Sequence, residues 1–367
     1  MTKLIEITGK ALSGEWGCDD ETGKGIPVLR TTNFSNDGTV NYDNVVTRII
    51  IKKNLDEKFL QQGDILIEKS GGSDKQPVGR VIFFDGPEKI YLFNNFTGLL
   101  RVKNTVKWYP RYVFYALFAN YLQGGTRTFE NKTTGLHNLK IDDYVAQFMI
   151  KETPMQNQLT ICGLLDKTRG VITLCRQQIQ KFDDLIRARF VEMFGSPITN
   201  DKNFVVKKVI EVVKLQRGHD LPIQSRIQNS TIPVWGSNGI VGYHNEAKSN
   251  SGIITGRSGT LGKVYYYDHP FWPLNTTLYS INTYNNNIIY LKYLLEFYEL
   301  QRFASGTGVP TLNRNEFHNE MIIDVPLVLQ NEFADFVKQV DKSKLAVQQS
   351  LDKTQELFDS LMQKYFG

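Results

Sequence analysis

The chain has 367 residues, a net charge of +5, a pI near 8.8, 41% hydrophobic and 12% aromatic residues, and three cysteines. Such apolar content supplies cores for two or three domains, no run of about eighteen apolar residues offers a membrane span, and no N-terminal apolar stretch reads as a secretory signal. Cys18, Cys162 and Cys175 form no C-x-x-C pair, which places the chain in a reducing cytoplasm, and no segment is a polycation, so affinity for nucleic acid would need a basic partner as well.

In chain order, short apolar runs bounded by Gly, Asn, Asp and Pro predict strands over 45–51, 64–67, 80–84 and 98–102, with a helical turn at Asp56-Glu-Lys. An aromatic helix follows over Pro110–Leu122, then a Gly/Thr loop and a strand ending near Ile150. Pro154 opens a long helix that closes on Phe194-Gly195; proline is tolerated there because its missing N–H would be unpaired anyway. Its seam runs Leu165, Thr168, Ile172, Cys175, Ile179, Phe182, Ile186, Arg189, in steps of three and four that suit a coiled coil.

The second half repeats the first. Strands are predicted over 252–255, 263–267 and 277–281, a helix over 288–303, and a strand ending near Asp324. Pro326 then opens a second long helix closing on Phe366-Gly367, with the seam Val337, Val340, Val347, Leu351, Phe358 and Leu361. A shift of 367 − 195 = 172 superimposes the two seams. Gly163 and Gly170 are defects of about 1 kcal/mol each, Ile172 is answered by Lys344, and Arg189 by Leu361. Each helix is expected to reach about 55 Å, too long to bury its seam on one compact domain. Packing of the two against each other is the expectation; the competing arrangement docks each on its own domain.

The fold class is therefore α+β: two globular domains with mixed or antiparallel sheets, separated by two long helices packed as an antiparallel coiled coil. The expected boundaries are 1–150 for the first domain, 151–195 for the central helical spacer, 196–325 for the second domain and 326–367 for the C-terminal spacer.

Catalytic constellations fail on their spacing. Gly256-Arg-Ser-Gly-Thr-Leu-Gly-Lys-Val264 is one residue too long for a phosphate loop and puts Val264 where a magnesium-binding hydroxyl belongs. Asp64 and Glu68 before Lys69 look like a nuclease carboxylate pair, but the repeat replaces them by Gly252 and Gly256. The five histidines show no metal-ligand spacing. No catalytic or metal-binding residues are expected.

Binding chemistry remains. Lys69-Ser70-Gly71 and Arg257-Ser258-Gly259 each put a cation and a hydroxyl on a turn at a strand end, where a phosphate can be approached closely. Arg80 and Lys263 follow at matching Gly-x-Val positions. Neighbouring loops carry Arg30, Thr31, Thr32, Asn33, Asn94 and Asn95 in one half, and Ser237, Asn238, Asn275 and Thr276 in the other. Arg and Asn can each engage a base edge through two hydrogen bonds. The Gly/Thr loops add Lys132, Thr133 and Thr307. The same residue types are also ordinary turn formers.

Gly306-Thr-Gly-Val-Pro-Thr-Leu-Asn followed by Ile322-Ile-Asp-Val-Pro326, echoed by Thr134-Gly-Leu-His-Asn-Leu and Phe148-Met-Ile-Lys-Glu-Thr-Pro154, resembles the specificity subunit of type I restriction-modification enzymes over essentially the whole chain. The P-x-x-x-Q helix starts are present as Pro154/Gln158 and Pro326/Gln330, although the glutamate common before that Gln is Asn157 and Leu329 here. The resemblance implies a non-catalytic subunit. Each domain would read half of a bipartite site in double-stranded DNA, and the helices would set the gap and dock two modification subunits. It puts S-adenosylmethionine, ATP and Mg on partner subunits, which can include two restriction-translocase subunits. Two alternatives stay open: a recognition subunit of a related enzyme that both cuts and methylates, and an interaction scaffold that never touches bases.

Overall fold

A computed structural model describes residues 1–52, 54–133, 136–227, 229–306 and 308–367, and of Lys132, Thr133 and Leu136 the backbone alone. The chain divides into two compact units, one of residues 1–174 with 351–367, the other of residues 175–350.

In the first unit, β1 (Leu12–Ser13), β2 (Ile65–Glu68), β3 (Val81–Phe83) and β4 (Thr97–Leu100) form an antiparallel sheet in the order β1-β4-β2-β3. Every residue of β2 is buried. Ile65 and Ile67 enter the main core while Leu66 enters a second one with Ile82 and Leu99, so a continuous apolar run marks a strand covered on both faces. Helix α1 (Pro110–Leu122) packs on β3 and buries residues nearly all round, as an element covered by a sheet and a second helix must. A smaller sheet pairs Ile26–Leu29 antiparallel with Val46–Ile49 and parallel with Leu92–Phe93.

The second unit repeats this plan. Strands β5 (Lys214–Arg217), β6 (Gly252–Gly256), β7 (Val264–Tyr267) and β8 (Thr277–Asn282) take the order β5-β8-β6-β7. Ile232–Gly236 pairs antiparallel with Gly239–His244 and parallel with Trp272–Pro273. Its aromatic helix is shorter than the predicted 288–303. It ends at Phe297, Glu299 turns left-handed at φ 60°, and a 3-10 turn continues over Leu300–Phe303.

The long helices run Met155–Phe194 and Leu327–Phe366, 40 residues each, and they pack together. Within the second unit Phe190 and Phe194 both stack edge-on against Phe333, with ring centroids 5.5 Å apart. Lys344 reaches Asp183 and Arg189 reaches Glu332. Partners descend on one helix as they ascend on the other, so the pairing is antiparallel. Ile186, Val337 and Val340 are buried and Phe182 is half-buried in the same core. In the first unit Leu165, Ile172 and Phe358 are buried, with Leu351 and Leu361 packed against them. Ile179 and Val347 are half-buried. The two imperfect seam positions, Lys344 and Arg189, are thus satisfied by carboxylates across the pair. Compactness groups the segments differently from the four-part division of the sequence, because each unit holds a globular part with a portion of both helices.

Four short helices escaped the sequence pattern: Leu4–Thr8 and Ile141–Gln147, and their counterparts Val209–Val212 and Arg314–Asn319. Each is under two or three turns, too short to show a 3.6-residue period.

Candidate nucleic-acid interface

The turn after β2 is built from the backbone. Lys69 N–H donates to Phe96 O at 2.8 Å, and Lys69 O accepts from Leu139 N–H at 2.8 Å. The turn after β6 has the same skeleton: Arg257 N–H donates to Thr276 O, and Arg257 O accepts from Leu312 N–H, both at 2.8 Å. Thr97 Oγ1 closes the adjoining loop on Asn94 O at 2.8 Å, as Thr277 Oγ1 does on Leu274 O at 2.7 Å. This register makes Asn95, rather than Asn94, the partner of Asn275. Two unlike side chains therefore stand on one atomic framework, lysine in one domain and arginine in the other.

Around the first turn, Lys69 Nζ donates to Ser13 Oγ at 2.9 Å, and burial lowers the ammonium pKa. Gly71 has φ 133°, a backbone conformation that favours glycine. Two expected contacts have their polar atoms occupied within the domain. Arg80 binds Glu68 through Nε and Nη2 at 3.1 and 2.9 Å and donates to Thr31 O and Phe34 O; the bond to Glu68 raises its pKa. Asn33 is buried, accepts from Arg30 N–H at 2.9 Å, and donates to Asn41 O and Asp43 O. Both hold the Thr31–Phe34 loop in place. Asn94 is buried too, whereas Asn95 and Phe96 are exposed. Arg30 is half-buried and donates from Nη2 to Asn44 O at 3.2 Å. Ser70 pairs with Asn138 on the Leu136–Leu139 strand.

The carboxylates that resembled a nuclease pair are each neutralised. Asp64 takes a two-pronged bond from Arg101, both at 2.7 Å, and Glu68 takes Arg80. Among the described residues no group of three His, Cys, Asp or Glu side chains could hold a metal ion.

In the second domain the repeat exchanges Glu68 for Gly256, and Arg80 for Lys263. With no carboxylate on the strand, Lys263 is exposed and turns its Nζ to Asn238 Oδ1 at 2.7 Å. Ser237 lies against Gly256 and Gly259, Arg257 Nε donates to Asn275 O at 2.9 Å, Ser258 bridges to Thr311, and Asn275 donates to Asp220. The expected residues of this half, Thr276 included, thus gather around one strand end. Thr307 lies outside the described residues, as do the side chains of Lys132 and Thr133.

Sequence patterns missed Ser13, Arg217 and Arg314, which reach the same neighbourhood from strands and helices distant in the chain. They also left Gln158 and Gln330 without a role. Each is buried and clamps the start of an aromatic helix: Gln158 Oε1 accepts from Tyr109 N–H and its amide donates to Lys107 O and Thr153 O. Gln330 Oε1 accepts from Asn287 N–H, and its amide donates to Asn286 Oδ1 and Val325 O.

Two sheet-bearing parts of the chain thus share one turn framework, built on the same backbone hydrogen bonds. Residues 201–356 match the family described as the type I restriction modification DNA specificity domain. The fold is similar over the whole chain to the crystal structure of a type I restriction-modification S subunit from M. genitalium, with 15% identity, TM-score 0.64 and 95% of that chain covered. It is also similar to a chain from a structural study of assembly and conformational transition in a type I restriction-modification system, with 13% identity, TM-score 0.55 and 96% of that chain covered. Comparison with curated proteins finds no match. The family match covers less than half of the chain, and the likeness to these solved structures shows the fold, that of type I restriction-modification S subunits.

Proposed function

We propose that each domain reads one half of a bipartite site in double-stranded DNA from its turn framework. In the first domain the readers are Arg30, Lys69, Ser70 and Asn95, with Thr31, Gly71, Asn94, Lys132 and Thr133 shaping or flanking the surface. In the second they are Ser237, Asn238, Arg257, Ser258, Lys263, Asn275 and Thr276, with Thr307 beside them. Asn33 and Arg80 act as positioning residues for the Thr31–Phe34 loop. The paired helices set the gap between half-sites and dock two modification subunits. Those subunits bring S-adenosylmethionine, and restriction-translocase subunits bring ATP and Mg, all in the cytoplasm.

One observation carries this reading: the hydrogen bonds around Lys69 are reproduced around Arg257, while the side chains displayed there differ. A constant scaffold with variable polar display is what recognition of two unlike base sequences requires. The test is a gel-shift series with the chain assembled with modification subunits, comparing its methylated site with random duplexes across salt. A specific duplex should hold at salt that releases random DNA, because base contacts survive screening that removes phosphate contacts. Equal release of both duplexes would refute base reading and favour a protein scaffold.

A further inference from the structure

A cavity of about 390 Å³ opens beside the second domain's turn, and three arginines line it: Arg217, Arg257 and Arg314. They arrive from the end of β5, the turn after β6 and the start of the Arg314–Asn319 helix. The hairpin of Ala304–Ser305 with Thr311–Leu312 closes the wall, fixed by Leu312 N–H to Arg257 O and by the Ser258–Thr311 bridge. No carboxylate lines the cavity. Among the described residues only Arg217 has an ion-pair partner, the exposed Asp220 at 3.4 Å, and such an exposed pair is worth little. The adjacent Glu316 is engaged by Asn313 Nδ2 at 2.7 Å.

Three arginines lining one cavity, with a single exposed acid beside one of them, favour an anion among them. Their planar forks suit phosphate oxygens. The first domain lacks this arrangement. Ser13 pairs with Gly98 as Arg217 pairs with Leu278, so Ser13 holds the place of Arg217. Lys69 holds that of Arg257. Ile141, two residues after Leu139, holds that of Arg314, two residues after Leu312. At these three positions the first domain has one cation where the second has three, and Lys58, which also reaches Ser13, is paired with Glu15.

We infer that Arg217, Arg257 and Arg314 form a clamp for a backbone phosphate of DNA, so that the second domain supplies the stronger sequence-independent anchor and the first domain relies more on base contacts. The inference rests on the DNA reading proposed above and adds an asymmetry to it. Phosphate contacts position without specifying sequence, so Arg217 and Arg314 set affinity and leave the recognised bases unchanged.

The test uses the chain assembled with modification subunits and measures duplex affinity over a potassium chloride series. The triple variant R217Q/R257Q/R314Q should lower the slope of log affinity against log salt by about one, the share of the single phosphate it neutralises, and each single variant by less. K69Q should weaken binding less than the triple variant does, and R217Q and R314Q, which are not among the proposed base readers, should leave the methylated sequence unchanged. Arg→Lys versions at the three positions should restore most of the slope, which separates lost charge from misfolding. A neutral methylphosphonate walked along the second half-site should weaken the wild type at one position and leave the triple variant indifferent there. A wild-type slope in the triple variant overturns the clamp while leaving the domain reading intact. Thermal stabilisation by inorganic phosphate at fixed ionic strength, with no change of slope, would make the pocket a free-anion site and also overturns it. Failure of the wild-type assembly to bind any duplex overturns both inferences.

Discussion

Gln158 and Gln330 each tie three backbone or side-chain groups with one buried amide, and the groups they tie belong to different elements: the entry of an aromatic helix and the loop before a long one. An apolar side chain of similar size would leave the Asn287 N–H and the Val325 carbonyl unpaired away from water. Gln330→Leu is therefore expected to destabilise the chain by about 3 kcal/mol, read as a lower urea midpoint at unchanged slope. An unaltered midpoint would remove the clamp from the account of the fold. His318 offers a second residue-scale test. It is buried, its Nε2 accepts Leu215 N–H at 3.0 Å, and burial, with Arg314 and Lys214 nearby, lowers its pKa. A base kept neutral in the fold takes a proton more readily when unfolded. The stability it confers is complete above the ordinary imidazole pKa of about 6.5 and shrinks as pH falls below that value towards the depressed folded one. His318→Gln keeps an acceptor without a titration, so the variant should lose less stability between neutral pH and pH of about 5.5 than the parent; equal losses would rule out this histidine as the source.

At the scale of elements, the long helices were the most legible part of the sequence, because a seam repeated over some ten turns outweighs any single poor residue. Leu165, Ile172, Ile186, Val337, Val340 and Phe358 are all buried. The strands were legible too, since Ile65, Leu66 and Ile67 form an apolar run that only a doubly covered strand accommodates. The short helices were not, and neither was the fate of polar loop residues. Nothing in Asn33 or Arg80 alone tells whether a side chain faces solvent or a carbonyl; that depends on Glu68 and on loops far along the chain. The expected helix defects at Gly163 and Gly170 do lie inside Met155–Phe194, and a Cβ at either would meet nothing within 4 Å. Gly163→Ala and Gly170→Ala should each stabilise the free chain by roughly 1 kcal/mol through helix propensity alone, additively, since no partner is shared. Calorimetry on the double variant checks this, and a loss of stability would mean that the backbone at these positions departs from ordinary helix.

For the whole molecule, the grouping of each globular part with portions of both helices governs how recognition can be exchanged. A replacement of residues 1–150 by those of a relative cuts between β-strand and helix, as the repeat suggests. It also severs contacts within the first unit to the ends of both long helices: Tyr109 to Gln158, Arg111 and Tyr115 to Asp166, and the Tyr112 ring to Phe366 at 5.1 Å. Burial of these aromatic groups carries a large share of the docking energy. An exchange that retains Tyr109, Arg111, Tyr112 and Tyr115 on the incoming helix should fold, change one half of the methylated site, and leave the other half and the gap as they were. The same exchange without those four residues should give low yield or a lowered melting temperature before any change of specificity can be read. Sequencing of methylated sites, with thermal unfolding of both chimaeras, decides the matter. If the chimaera that keeps the four contacts altered both half-sites, the domains would not be independent readers, whatever the symmetry of their turns.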